Sequence, residues 1–324
     1  MVTIILPIYN GERYLTVALE SVKAQTCEDF ECLCIDDGSS DGSAEIVRRF
    51  EAEDSRFRLI QQSNAGVAAA RNRGIKESKG EYIAFLDQDD AFAPELLERL
   101  LQDARETGCD VVEAEITEFN TEALPEARVS STFDVNVSNS PFADFFSLGN
   151  GSCVRIAVWG KLYAKKALSD VRFPDGVFGA DDYVFTARLY SKIDRYASTG
   201  ERLYLYRMHA GNVTTQMPMK YIMGMLKSRE MVWREFLAES NVPEKLLAKV
   251  SRRFCKEILS WAVKKTCRQH YAEKEMDLLR KEVWRLKDDG VLVPRGIRDR
   301  LKTYLFCHGQ DRALKALFPS LCRK

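Results

Sequence analysis

Acidic residues follow apolar, strand-like segments of the chain, and they are the side chains best suited to chemistry. In EYIAFLDQDDAF, Asp87, Asp89 and Asp90 come at the end of one such run. Clustered carboxylates repel one another unless a cation lies between them, and their hard oxygens suit a Mg²⁺ or Mn²⁺ ion that holds a diphosphate. The competing interpretation is an acidic turn that begins the helix after Pro94.

A second acidic turn, LCIDDGSSDGS, places Asp36 and Asp37 at another strand end, where they can accept hydrogen bonds from a base or a ribose. The alternative is a turn in which Asp41 or Ser40 caps the next helix. A calcium loop that starts at Asp37 is excluded, because its twelfth position requires a bidentate Glu and is occupied by Arg48.

The segment SNAGVAAARNRG adds a cation to these carboxylates. Its small residues allow a helix to pack closely on a sheet, and Arg71 in the second turn has the reach to contact a pyrophosphate or a strand-end aspartate. The glycine pattern GxGxxG is absent here and also after the first strand, in PIYNGERY. This absence disfavours a nicotinamide-dependent enzyme.

These side chains need a scaffold that brings strand ends together. Strand-like and helix-like periods alternate along the N-terminal part of the chain, which predicts an α/β fold with a mostly parallel sheet and helices on both faces. Asn10, Asp36 and Asp87 each lie where an apolar strand stops, at the edge where such sheets bind ligands. Residues 121–140 are predicted as a loop, and the helical spacing after Gly211 predicts an all-α C-terminal region.

Composition excludes several classes of protein. The 324 residues, 45% hydrophobic and 30% charged, are typical of a globular protein with one large or two smaller domains. No segment approaches the roughly 20 apolar residues of a membrane-spanning helix, and the opening MVTIILPIYN lacks the features of a signal peptide. We therefore expect a cytoplasmic protein. Nine scattered cysteines without a CxxC pair predict reduced thiols and no zinc site.

Four motifs, PIYN, IDDGSSDGS, NAGVAAARNRG and GEYIAFLDQDD, follow one another in a specific order and spacing. In these motifs the chain resembles the family 2 glycosyltransferases, inverting enzymes with a GT-A fold. The resemblance is dense over residues 1–110 and thinner over residues 155–215. It implies a Rossmann-like GT-A catalytic domain over residues 1–215, followed by a basic helical region over residues 216–324.

The resemblance also implies the residues that bind the donor, a nucleoside-diphosphate sugar with uracil as the most frequent base. The implied donor-binding residues are Pro7, Tyr9, Asn10, Asp36, Asp37, Gly38, Ser39, Asn64, Arg71, Asp87 and Gln88. The D-x-D motif of the family maps onto residues 87–89, with Asp89 as the direct ligand of Mn²⁺ or Mg²⁺ and Asp87 nearer the ribose. Gln88 differs from the Ser or Ala that is commoner at this position.

His209, in YLYRMHAGNVTT, follows a strand-like run. Some relatives have, at this place, a residue that closes over the metal and the diphosphate. It is therefore expected as a further metal ligand or a phosphate contact, and the alternative is a packed surface histidine. In the implied mechanism, the metal and Arg71 neutralise the charge on the departing nucleoside diphosphate. A single displacement then inverts the configuration of the sugar.

A carboxylate base is expected farther along the chain, where the family has Glu-Asp before a helix. The segment GVFGADDYVFTARL supplies Asp182 as the general base and Asp181, one methylene shorter than Glu, as an acceptor contact. The alternative is an acidic pair that stabilises a helix N-terminus. Trp159 and Lys161, in VWGKLY, match a family segment near the acceptor, although Trp159 is equally suited to the core.

Charge is distributed unevenly along a chain whose net charge is zero. From Glu244 onward, 21 Lys and Arg stand against 10 Asp and Glu. Basic and apolar residues recur there with helical spacing, which predicts binding to an anionic membrane at its inner face. The alternative is a solvated face paired with the acidic catalytic domain, and a nucleic-acid partner is not expected. The residues of this surface are Leu247, Lys249, Arg252, Arg253, Phe254, Lys256 and Leu259.

From these observations we expect a glycosyltransferase that moves a sugar from a nucleotide sugar to a hydroxyl of a glycan or lipid-linked acceptor in surface polysaccharide synthesis. One alternative is a sugar nucleotidyltransferase, although PIYNGERY is not the glycine-rich basic phosphate loop that those enzymes carry after the first strand. The other is a non-catalytic, nucleotide-binding scaffold of the same fold.

Overall fold

The computed structural model describes two compact units of the chain. One unit comprises Met1–Gly176 and Phe185–Asn212, and the other comprises Val177–Val184 and Val213–Lys324. The domain boundary expected at residue 215 stays a prediction, and the short segment before residue 185 belongs to the second unit. The residues described are 1–121, 124–125, 135–147, 155–212, 216–237, 250, 253–254, 257, 271–294, 297–309, 311, 313 and 317.

Nine strands of the described residues form one mixed sheet in the first unit, in the order β3-β2-β1-β4-β8-β6-β9-β5, with β7 paired to β9. The strands β1 to β4 are parallel to one another, and β8 is antiparallel to both of its neighbours. The bounds are β1 Val2–Ile8, β2 Phe30–Asp36, β3 Phe57–Gln61, β4 Tyr82–Phe85, β5 Ala91–Phe92, β6 Val111–Phe119, β7 Asn136–Ser138, β8 Lys161–Ala164 and β9 Tyr196–Arg207.

Helices connect the strands and make up most of the described C-terminal part. Their bounds are α1 Glu12–Lys23, α2 Ser43–Glu53, α3 Val67–Glu77, α4 Leu96–Thr107, α5 Pro141–Ser147, α6 Asp181–Tyr190, α7 Met219–Val232, α8 Glu273–Asp288 and α9 Ile297–Cys307. A 3₁₀ turn covers Lys165–Leu168 and a π-helical turn covers Trp233–Leu237. Among the described residues, no helix is both long and apolar enough to cross a bilayer.

The central strands are nearly continuous apolar runs because both faces of the sheet are covered. All seven residues of β1 are buried, and β2 is buried except for one intermediate position. The helices α1 and α4 are amphipathic and bury residues such as Leu15, Leu19, Leu97 and Leu100. The predicted fold class is therefore confirmed. Within the predicted loop at 121–140, residues 136–138 instead form a strand because they pair with β9.

In the second unit, the described C-terminal helices confirm the predicted all-α region. Several of its basic side chains are engaged in ion pairs, since Arg285 and Arg234 both contact Glu230, at 2.6 and 2.8 Å. Phe254, expected on a membrane-facing surface, is instead fully buried and lies 6.3 Å from the Trp233 ring. Leu247, Lys249, Arg252, Lys256 and Leu259 lie outside the described residues.

Lys161 is part of a buried polar cluster between β6, β8 and β9, rather than an exposed cation. Its Nζ donates to the Arg155 carbonyl at 2.7 Å and to the Tyr190 hydroxyl at 3.0 Å, and it lies 3.7 Å from the Glu113 carboxylate. The Tyr196 hydroxyl also bonds to Glu113. Because the Lys161 side chain is enclosed, it has no exposed atom with which to meet an acceptor in this conformation.

Burial raises the pKa of Glu113 to about 7, although Lys161 and Arg155 oppose the shift. An ordinary glutamate ionises near pH 4.5, so between these values the folded state holds a proton that the unfolded state has lost. The stability contributed by Glu113 is therefore present at low pH and is lost as the pH rises toward 7.

The Glu113→Gln variant should lack this pH dependence. We expect the melting temperature of the variant, relative to that of the wild type, to increase as the pH rises from about 5 to about 8. Thermal unfolding across this pH range measures the difference. Glu118→Gln, an exposed glutamate of the same strand, is the matched control and should follow the wild type. Parallel curves for Glu113→Gln and the wild type would contradict the assignment.

Candidate functional site

The carboxyl ends of β1, β2 and β4 lie side by side, because β1 is the parallel neighbour of both other strands. Ile8 at the end of β1 pairs with Asp36 at the end of β2, and the Asp37 amide donates to the Ile8 carbonyl at 2.8 Å. The sequence-predicted residues that follow these three strands therefore share one edge of the sheet. Pro7 is buried within β1 and pairs with Ile35.

The turn after β1 is fastened to the turn after β2. Asn10 adopts a left-handed conformation with φ of 49°, which Asn tolerates better than most residues. Its amide donates to Ser39 Oγ at 3.0 Å, and its Oδ1 accepts from the Ser40 amide at 2.9 Å. Tyr9, one residue earlier, leaves 50% of its surface exposed and presents an aromatic ring at this edge.

Asp36 and Asp37 are buried and use their oxygens to organise the chain around them. Asp36 accepts from the Ser39 amide and from Gln61 Nε2, at 3.0 and 2.9 Å. Asp37 accepts at 2.7–2.9 Å from Gln62 Nε2 and from the amides of residues 65 and 66. These bonds hold the loop that leads into α3, and the expected contact with a base stays a prediction.

Gly38 and Asn64 meet beside this carboxylate. Gly38 has a positive φ of 77°, and a Cβ at this position would lie 3.0 Å from the Asn64 backbone nitrogen. A side chain at residue 38 would therefore be strained and crowded. Both residues are exposed at the strand-end edge, and their expected contact with the donor stays a prediction.

The acidic loop after β4 gives each of its three carboxylates a different partner. Asp87 Oδ1 accepts from Arg71 Nη2 at 2.7 Å, so Arg71 reaches a strand-end aspartate, one of its two expected targets. Asp89 Oδ2 lies 2.9 Å from His209 Nε2. Asp90 is buried and accepts from the Tyr204 hydroxyl at 2.7 Å and from a backbone amide. Asp90 is therefore a structural carboxylate, whereas the other two face the edge.

Crowding of these carboxylates changes their acidity. Burial and then the charge of Asp87 raise the pKa of Asp89, and the contact with His209 opposes this shift. Burial and the two neighbouring aspartates raise the pKa of Asp90 well above its usual range. The loop therefore has a deficit of positive charge, and a cation bound near Asp87 and Asp89 would relieve it.

His209 is held in one orientation. The Gly211 amide donates to its Nδ1 at 3.1 Å, which leaves Nε2 to donate to Asp89. Its backbone amide donates to Asn212 Oδ1, and its ring lies 4.8 Å from the ring of Tyr14 on α1. The candidate ligand His209 thus meets Asp89, although 120 residues separate them in the sequence.

Sequence reasoning missed four residues of this site: Tyr14, Tyr204, Arg207 and Asn212. Arg207 is buried, and its Nε donates to the Asp89 carbonyl at 2.9 Å, which fixes the backbone of the acidic loop. Tyr204 and Arg207 belong to the run RLYLYRMH, whose alternation indicates only a strand. Asn212 lies three residues after His209, so its nearness to that residue in the sequence is the signal that could have found it.

Asp89 offers a carboxylate oxygen, and His209 would offer its Nε2 once a cation displaces the proton that this nitrogen donates to Asp89; the two side chains are 28% and 21% exposed. No group of three or more metal-ligating side chains occurs among the described residues. Mg²⁺ commonly takes only one or two carboxylates and completes its coordination with water and substrate phosphates. The residues present therefore fit a cation that is shared with a diphosphate.

The predicted acceptor residues differ in their surroundings. Trp159 is partly buried and stacks on Tyr204 and Tyr206, with ring centroids 4.7 and 5.3 Å away, so it supports the strand that carries the Asp90 contact. Asp181 and Asp182 are the first two residues of α6, where negative charge stabilises a helix N-terminus. Asp181 is buried and Asp182 is partly exposed. Their chemical roles stay predictions.

The sequence is similar to those of known glycosyltransferases. The profile described as "Glycosyl transferase family 2" matches residues 3–171. Glycosyltransferase GlyA of Streptococcus pneumoniae is 32% identical over 66% of this chain, which spans only 31% of GlyA. GlyG of the same organism is 31% identical, over 66% of this chain and 72% of its own length. A poly(ribitol-phosphate) beta-glucosyltransferase of Bacillus spizizenii is 30% identical, over 63% of this chain and 32% of its own.

Solved structures share the fold at low identity. S. aureus TarS, in complex with UDP-GlcNAc, covers 97% of this chain and 91% of its own, with a TM-score of 0.70 and 19% identity. The mannosyltransferase PcManGT of Pyrobaculum calidifontis, in complex with GDP-Man and Mn²⁺, covers 98% of this chain and 87% of its own, with a TM-score of 0.58 and 15% identity. With the strand-end site and the match to the family profile, these similarities establish that the chain belongs to glycosyl transferase family 2 and has the GT-A fold.

Proposed function

We propose that the chain transfers a sugar from a uridine-diphosphate sugar to a hydroxyl of a glycan or lipid-linked acceptor, with inversion at the anomeric carbon. The observation that carries the proposal is the acidic loop, where Asp89 meets His209 and Gln88 binds the turn that presents the exposed Tyr9. TarS in complex with UDP-GlcNAc supports a nucleotide-sugar donor. The poly(ribitol-phosphate) beta-glucosyltransferase supports a polymeric acceptor in surface polysaccharide synthesis.

The donor would lie along the strand-end edge. Tyr9 would border the base, the buried Asp36 and Asp37 would shape its pocket, and Asp87 would lie nearer the ribose. Asp89 and His209, with Asp87 beside them, would hold Mn²⁺ or Mg²⁺. When bound, the cation would supply positive charge to the departing diphosphate. PcManGT in complex with Mn²⁺ supports a divalent cofactor.

Asp182 would accept the proton of the acceptor hydroxyl as that oxygen attacks the face of the sugar opposite the diphosphate. The hydroxyl becomes acidic only as its bond to the anomeric carbon forms, so an ordinary carboxylate suffices as the base. Asp181 and Trp159 would orient the acceptor. A single displacement forms one glycosidic bond, breaks the bond to the diphosphate and inverts the configuration.

Nucleotide binding is the first test. At saturation, UDP with Mn²⁺ should raise the melting temperature by about 5 °C or more, because a ligand that binds only the folded state stabilises it. Asp89→Asn should lose the Mn²⁺-dependent part of this shift, whereas Asp170→Asn, an exposed aspartate, should retain it. Thermal unfolding with UDP, GDP and each cation measures the effect. An unchanged melting temperature with every nucleoside diphosphate would favour the alternative of a non-catalytic scaffold.

The base is tested separately from the donor. Asp182→Asn should lower transfer by about a hundredfold or more and leave UDP binding largely unchanged, because the general base acts only in the chemical step. A panel of UDP- and GDP-sugars first identifies the donor, and UDP or GDP release then reports turnover. Asp175→Asn, an exposed aspartate just upstream, is the matched control. Unchanged turnover in Asp182→Asn would remove it from this role.

We also propose that the protein works in the cytoplasm at the inner face of the membrane, where the basic C-terminal region contacts anionic lipid. From Glu244 onward this region has a net charge of +11, and each well-placed cation contributes about 1 kcal/mol near an anionic surface. At low salt, the protein should therefore sediment with phosphatidylglycerol liposomes and not with phosphatidylcholine liposomes. Equal sedimentation with both would contradict membrane docking.

A further inference from the structure

The turn between β1 and α1 has four consecutive backbone amides that donate to side chains rather than to backbone carbonyls. Three of the acceptors come from the segment after β2, and the fourth, Gln88, comes from the acidic loop. The four bonds are Tyr9 to Gln88 Oε1 at 2.8 Å, Asn10 to Ser39 Oγ at 3.0 Å, Gly11 to Ser43 Oγ at 2.9 Å and Glu12 to Asp41 Oδ2 at 3.1 Å. Gln88 therefore links this turn to the acidic loop.

The Gln88 side chain binds both the backbone amide and the backbone carbonyl of Tyr9. Its Oε1 accepts from the Tyr9 amide, and its Nε2 donates to the Tyr9 carbonyl at 3.1 Å. This pair of bonds has the reciprocal pattern of a hydrogen-bonded residue pair in an antiparallel ladder, although β1 and β4 themselves are parallel. The backbone pairing of β1 with β4 ends at Ile5 and Phe85, so the Gln88 side chain continues the connection beyond the end of the ladder.

Gly11 provides the space that this amide needs. A Cβ at residue 11 would lie 2.4 Å from Gln88 Oε1 and 2.7 Å from its Cδ, well inside van der Waals contact. The backbone of Gly11, with φ of −101°, is open to any residue. A Cβ at residue 11 would therefore displace the end of the Gln88 side chain from its bonds to Tyr9, whereas the backbone conformation itself does not call for glycine. The two positions, 77 apart in sequence, form one packing unit.

We propose that Gln88 is a positioning residue that sets Tyr9 against Asp87 and Asp89, and that Gly11 is its steric partner. The proposal rests on the proposed function, in which Tyr9 borders the nucleoside and the two aspartates serve the diphosphate and its cation. Both aspartates have partners of their own, since Arg71 binds Asp87 and His209 contacts Asp89. Gln88 lies between them in sequence, so its bonds to Tyr9 fix the spacing of the two ends of the donor site.

The length of the side chain is the reason that glutamine matters. Serine and alanine are commoner at this position in the family. Their side chains are too short to reach the Tyr9 backbone and lack the two polar groups with which glutamine binds it. The Gln88→Ser variant should keep its fold, because the ladder between β1 and β4 does not involve this side chain, but Tyr9 would lose its fixed position. Donor affinity is then the quantity that should change.

The test is a double-mutant cycle in the full chain, with UDP and Mn²⁺ as the probe and titration calorimetry as the measurement. Gln88→Ser and Gly11→Ala should each weaken UDP binding by about tenfold, the equivalent of one or two lost hydrogen bonds. The double variant should bind no worse than Gln88→Ser, because alanine at residue 11 acts only by displacing the amide. Gln102→Ala, which removes a surface glutamine, is the matched control.

Hydrogen exchange is a second measurement, which reports directly on the contact between Gln88 and the Tyr9 backbone. In Gln88→Ser, the Tyr9 amide should exchange with deuterium faster while the amides of β1 keep their protection, which a general loss of stability would not produce. Additive losses in the double variant, or wild-type affinity in both single variants, would overturn the inference and leave the proposed function intact. A wild-type protein that binds no nucleoside diphosphate would overturn both.

Discussion

Asp87, Asp89 and Asp90 lie within four residues at the end of β4, and their mutual repulsion in a partly buried loop is the constraint on which the site depends. Arg71 balances the first of them and His209 contacts the second, whereas the third accepts uncharged hydrogen bonds from the Tyr204 hydroxyl and a backbone amide of β9. Each partner comes from a different element of the chain. The sheet is thus required to bring α3, β9 and the segment after β9 to one strand end.

The neighbouring turns are held by reciprocal contacts between two helix N-termini. The Glu12 amide donates to Asp41, and the Gly42 amide donates to the Glu12 carboxylate at 3.0 Å. Amides in the first turn of a helix lack partners within the helix, so each helix here satisfies the other. A rigid turn after β1 follows from this arrangement. Gln88 links this turn to the acidic loop, which explains how the exposed Tyr9 is held at a fixed position relative to Asp87 and Asp89.

Buried charge also occurs away from the strand-end edge. Glu113 and Lys161 lie in the core beside Tyr190 and Tyr196, where low polarity raises the pKa of Glu113. In the sequence, Lys161 follows Trp159 in the segment VWGKLY and is therefore expected near the acceptor. The tertiary structure makes Lys161 a partner of a buried carboxylate instead, because β8 is inserted antiparallel between β4 and β6.

The sequence by itself determined the fold class and the edge of the sheet at which the candidate site residues meet. Apolar periodicity sets the strands, and parallel order places their carboxyl ends together, so Asn10, Asp36 and Asp87 were found from local pattern alone. Only the tertiary structure decided which carboxylates are free to face a ligand and which serve the fold. Partners such as Tyr14, Arg207 and the Gly11–Gln88 pair are distant in sequence, and periodicity records which side of an element is buried but not what it is buried against.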